Sequence, residues 1–101
     1  MAANLIVLPD ADQDTTDAAD WYEWQRVGRG RKFAARVQDC IRAILRTPRA
    51  FAPLRGPYRK AVVRQFPYVV AYHYDDATDT VTVVAVFHTS RDPDDLLRRL
   101  P

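Results

Sequence analysis

The chain has 101 residues, 48% of them apolar and 28% charged, with a net charge of +2. That is the size of one domain, 1–101, with one modest core, and it excludes a disordered chain. Cys40 is the only cysteine, which excludes an intrachain disulfide; the apolar runs are strand-length, which excludes a membrane-spanning helix.

The start of the chain has no basic flank and too short an apolar run for a secretion signal, so a cytoplasmic protein with no membrane partner is expected. Residues 4–8, NLIVL, form a short apolar run ended by Pro9 and read as a strand. Pro9 and Asp10 then open a helix over about 11–25, because proline and acidic groups suit a helix's first turn. Trp21, Tyr22 and Trp24 fall near its end, and Gly28 and Gly30 break it. Trp21 and Trp24 read as nearly opposite on the helix, so both cannot be core and one is a candidate partner anchor.

The second helix is clearer. Phe33, Val37, Ile41, Ile44 and Leu45 recur at helical spacing with Cys40 on the same face, and Pro48 ends the run. The two helices make an αα-hairpin. Residues 47–57, TPRAFAPLRGP, read as a proline-rich connection. Three strands follow, at 58–65, 68–74 and 80–88, with a turn at 75–79. A short helix over 94–100 closes a β-α-α-β-β-β-α order. Helices early and strands late argue an α+β fold: an antiparallel-rich, four-stranded sheet with the hairpin on one face and the other face partly open.

The charges are strongly sorted. Residues 1–24 carry six acids and no Lys or Arg; residues 25–64 carry twelve basic groups and one acid, a net of +11. Such a block points to an acidic or polyanionic partner. Arg59 and Lys60 sit on a strand with an exposed face and are candidate contacts. Strand alternation puts Tyr68, Val70, Tyr72 and Tyr74 on one face, as core or as open floor. In an antiparallel meander, Arg64, Tyr68, His88 and Arg91 converge at one edge of the sheet. Tyr68 is read chiefly as packing. No metal or cofactor is expected: His73, Asp75 and Asp76 alternate across a strand, and Gly28-Arg29-Gly30 lacks phosphate-loop spacing.

The run "RQFPYVVAYHY … VTVVAVFHTSRDP" resembles the C-terminal half of the RelE/ParE superfamily of bacterial toxins, and "LIVLPDADQDTTDAADWYEW" and "RKFAARVQDCIRAILRTPRAF" resemble its first strand and two helices. The likeness covers about residues 5–97 and leans to the ParE, plasmid-stabilisation branch. It implies a toxin of a type II toxin–antitoxin pair, held by a cognate antitoxin, as a homodimer or a heterotetramer with it. Two activities are implied: poisoning DNA gyrase by binding, or cutting mRNA in the ribosome. The second needs a cation at the phosphorane-like transition state and a proton carrier. Arg64 matches a family position for the first, and His88 and Arg91 are candidates beside it. Asp92, Asp94 and Asp95 depart from the nuclease pattern and favour gyrase. A non-toxic basic binding module on the same fold is the third reading. An antitoxin that crosses the basic block is expected to be acidic there.

Overall fold

The computed structural model describes residues 2–98. In chain order it contains β1 (Asn4–Val7), α1 (Pro9–Gln25), α2 (Arg29–Arg46), β2 (Ala52–Arg55), β3 (Tyr58–Val62), β4 (Tyr68–Asp75), β5 (Thr80–His88) and α3 (Pro93–Leu97). The strands form one sheet in the order β1-β5-β4-β3-β2. β1 runs parallel to β5, and every other neighbouring pair is antiparallel.

The α+β architecture is the expected one, with a fifth strand. β2 comes from the proline-rich connection, which pairs with β3 along the sheet's margin. A proline inside a strand is tolerated there because an edge strand need not donate from every N–H. The register slips between Pro53 and Arg55, and Gly56 takes a positive φ of 50° to make the tight return to β3. The strand expected over 58–65 stops at Val62, and the residues up to Pro67 form a turn.

The hairpin packs on one face of the sheet. Phe33, Val37 and Ile44 of α2 and Tyr22 of α1 join Val70, Tyr72, Val81, Val83 and Val86 in the larger core. The aromatic row of β4 therefore faces the helices and is no open floor. Tyr72 is fully buried, and its hydroxyl donates to the Pro48 carbonyl at 2.6 Å. The second face is less open than expected. Leu96 of α3 packs there on Val69, Ala71, Val84, Ala85 and Phe87. Along β5 the hairpin-facing positions change from odd (Val81, Val83) to even (Val86). The cause is a bulge: Tyr72 pairs with Val83 and Ala71 with Ala85, which leaves Val84 over.

α3 begins at Pro93, and the Asp92 carboxylate caps it by accepting the Asp94 N–H at 2.9 Å. The end expected at Leu100 lies outside the described residues. At the hairpin turn, Glu23 does the capping from across the bend. Its carboxylate accepts the N–H of Gly28 at 2.9 Å and of Gly30 at 3.1 Å, which satisfies amides at the start of α2.

Cys40 is buried, and its thiol lies 3.6 Å from the Val62 carbonyl oxygen. Burial pushes the thiol from an ordinary value of 9.0 up to about 11. The folded chain thus holds this proton more tightly than the unfolded chain. That contribution is complete below pH 9 and is lost as pH rises toward 11. Burial also raises the Tyr68 and Tyr72 hydroxyls, so all three act in the same direction. The urea midpoint is therefore expected to fall as pH is raised from 9 to 11, and Cys40→Ser should flatten part of that fall. A midpoint independent of pH across this window would refute the assignment.

Candidate functional site

At one end of the sheet, β4 begins beside the end of β5. Tyr68 is in register with His88, and their ring centroids lie 5.2 Å apart in an edge-on arrangement. A turn closed by the Arg91 N–H on the His88 carbonyl, at 3.0 Å, brings Arg91 back to the same place. Desolvation holds the Tyr68 hydroxyl above its ordinary pKa; the nearby Tyr22 adds to this, and the charge of Arg91 opposes it only in part. Tyr68, His88 and Arg91 thus converge as expected.

The opposite wall comes from α1. Asp14, Asp17, Ala18 and Trp21 complete an open cleft of about 270 Å³. Asp14 has a structural reason to be there. β1 pairs with β5 only as far as Val83, and the Asp14 carboxylate accepts the Val86 N–H beyond it, at 3.0 Å. An α1 side chain thus caps part of an otherwise open edge. Sequence reading missed both carboxylates as cleft residues. The signal was present, since Asp14, Asp17 and Trp21 lie on one helical flank at spacings of three and four.

The His88 ring is held by its own turn. Its Nδ1 accepts the Ser90 N–H at 3.0 Å, and the Ser90 hydroxyl lies 2.8 Å away. A backbone N–H can only donate, so the neutral ring carries its proton on Nε2. Asp92, which caps α3, takes no part in this pair.

Arg64 is at the same end of the sheet but does not line the cleft. It sits in the turn between β3 and β4, and that turn is fastened to α2. The Arg29 guanidinium lies 4.9 Å from the Phe66 ring centroid, and Arg36 Nε donates to Gln65 Oε1 at 2.9 Å. Gln65 holds a positive φ of 72°. Arg64 itself is exposed, with no ion pair among the described residues. Arg64 thus lies in a turn fastened to the start of α2, outside the lining of the cleft that holds His88 and Arg91.

Arg59 is half-buried, and its guanidinium donates to the Phe51 carbonyl at 2.8 Å, which ties the 47–51 segment to the sheet. Lys60 is exposed. Trp21 and Trp24 are 58% and 87% exposed, so neither is core. They do not oppose one another: residues three apart on an α-helix differ by only about 60° and share a flank. Tyr22, between them, takes the core position.

Residues 5–93 match the model of the ParE toxin of type II toxin–antitoxin systems, parDE. The chain belongs to this family. Among curated proteins, none matches it. Its fold is shared by the chromosomal ParDE system of P. aeruginosa, with a TM-score of 0.75, 10% identity, and 86% of this chain and 96% of that one covered. It is shared by an E. coli RelE mutant in the free state, with a TM-score of 0.69 and 20% identity over the whole of both chains. It is also shared by a chain of the RelBE2 toxin–antitoxin complex of Mycobacterium tuberculosis, with a TM-score of 0.62, 24% identity, and 87% and 99% covered. The ParE-family chain is thus a toxin of the type II class on the RelE/ParE fold, in which α1 lends two carboxylates to the cleft at the sheet's end.

Proposed function

We propose that this ParE-family toxin acts by binding DNA gyrase, without catalysis, and that a cognate antitoxin neutralises it in the cytoplasm. One observation carries the reading. The cleft formed by Tyr68, His88 and Arg91 is walled by Asp14 and Asp17, and Arg64 stands outside it. Attack by a ribose 2′-OH builds negative charge on phosphorus and needs cations aimed at it. Two carboxylates in the same cleft oppose that charge, and Arg91 is the arginine among its described lining residues. Exposed cations such as Lys60 and Arg64 suit contact with an acidic protein surface.

The experiment is induced expression without antitoxin, with DNA and protein synthesis followed separately over the first minutes. Early arrest of DNA synthesis with translation intact is the expected result. Early arrest of translation would overturn the reading in favour of a ribosome-dependent mRNA endoribonuclease. That alternative has one observation in its favour, the convergence of Tyr68, His88 and Arg91. His88→Ala separates the two. A nuclease that loses a proton carrier slows by roughly 10²- to 10⁴-fold. A gyrase-binding toxin should keep its growth arrest essentially unchanged, and a collapse of toxicity in a folded His88→Ala protein would count against binding alone. Absence of any arrest would leave the non-toxic binding module.

A further inference from the structure

The tip of the α1–α2 hairpin combines two features, one apolar and one of charge. The first is apolar. Trp24 is 87% exposed and Val27 90% exposed. Neither packs into the two cores, and they lie three residues apart. The second is charge. Arg26, Arg29 and Lys32 line a notch of about 290 Å³ together with Val27 and Gly28. None of the three makes an ion pair among the described residues.

The notch is already shaped around a carboxylate. Glu23 spends both of its oxygens on the N–H groups of Gly28 and Gly30. The backbone amides that would cradle a phosphate are therefore occupied. What remains free is side-chain charge on flexible stems, with Arg29 steadied against the rings of Tyr22 and Phe66 at 5.2 and 4.9 Å. Such an arrangement suits carboxylates spread along a chain better than one compact dianion. Val27 points the same way. An exposed aliphatic side chain three residues from an exposed indole offers a pad for another apolar side chain, whereas a nucleobase gains most from aromatic faces.

We propose that the α1–α2 tip is a docking point for an acidic polypeptide segment of a partner protein. The partner's carboxylates meet Arg26, Arg29 and Lys32, and one large apolar side chain of the segment covers Trp24 and Val27. The surface is separate from the Tyr68–His88–Arg91 cleft, and the inference holds whether or not gyrase is the target. Charge complementarity selects the partner and speeds its arrival, and the apolar contact slows its release.

The test uses tryptophan emission. Trp21→Phe leaves Trp24 as the only indole of the chain. This protein is titrated with a short Glu-rich peptide carrying one central Leu, with a Lys-rich peptide of the same length, and with an oligothymidylate of matched length. The expected result is a blue shift of Trp24 emission with the acidic peptide alone, as the indole leaves water. Its affinity should fall as salt is raised, because the charges are exposed. Adding Arg26→Glu and Lys32→Glu should weaken binding by roughly tenfold or more. Both side chains are exposed and free of hydrogen bonds among the described residues, so unfolding midpoints close to the parent's are expected and check the fold. Absence of a shift with the acidic peptide overturns the proposal, as does equal binding by the double charge reversal. Tighter binding of the oligothymidylate than of the acidic peptide also overturns it, and makes the tip a nucleic-acid platform.

Discussion

Phe33→Ala is expected to cost about 3–5 kcal/mol of folding stability, the usual loss for emptying a buried aromatic site. Phe33 is fully buried, and three other rings surround it. Its centroid lies 5.3 Å from that of Tyr22, 5.1 Å from Phe66 and 4.9 Å from Tyr68. These neighbours come from α1, from the β3–β4 turn and from β4. The ring therefore joins the hairpin to the sheet and to the turn that carries Arg64. A domain of this size holds on the order of 5–15 kcal/mol in all. The change should lower the melting temperature by roughly 15–30 °C. Urea unfolding of Phe33→Ala and Phe33→Leu beside the parent chain checks this, with the leucine variant losing less because it refills part of the space. A loss below about 1 kcal/mol for the alanine variant would mean that the four rings do not form one packed unit. Toxicity should fall with stability, since Tyr68 loses its support.

Gly30→Ala is the second large effect, and its sign is opposite to what helix propensity suggests. In a helix interior, alanine in place of glycine ordinarily stabilises by about 1 kcal/mol. At position 30 a Cβ would stand 2.4 Å from the Ala19 carbonyl oxygen and 3.0 Å from Glu23 Cβ. The first contact is backbone, so no side chain can rotate away and the two helices must part. Overpacking of this kind costs about 1–3 kcal/mol. A shift of Glu23 also disturbs its bonds to Gly28 and Gly30. A net loss of about 3 kcal/mol is expected. Gly28→Ala is the informative companion: nothing lies within 4 Å of its Cβ, yet its φ is +88°. There the cost is backbone strain, about 1–2 kcal/mol. If thermal unfolding shows Gly30→Ala as stable as the parent, the close approach of α1 and α2 is not as described.

Much of the fold was legible in local pattern. The repeat of Phe33, Val37, Ile41, Ile44 and Leu45, with Cys40, marks α2 because these positions fall on one helical face. The β-branched run of residues 80–88 marks β5, Gly28 falls at the N-cap of α2 and Asp92 at the N-cap of α3, whereas Gly30, expected to break the first helix, lies inside α2. β2 escaped notice for a physical reason. Its sequence, APLR, carries no alternation and contains a proline, and it becomes a strand only because β3 offers an unpaired edge. The bulge at Val84 was equally hidden, since register is a property of two strands together.

The candidate site divides along the same line. That Tyr68, His88 and Arg91 meet follows from strand order, which chain connectivity alone nearly dictates. The basic block, the single buried thiol and the membership of the ParE toxin family are also carried by residue identity and spacing along the chain. What faces those residues is not, because a facing residue is chosen by how α1 crosses the sheet. That crossing brings Asp14 and Asp17 to the cleft and leaves Trp24 in water, while the packing of α2 fastens Arg29 and Arg36 to the turn of Arg64. Periodicity assigns a residue to a face; only packing between elements assigns that face its partner, and with it the charge that the face meets.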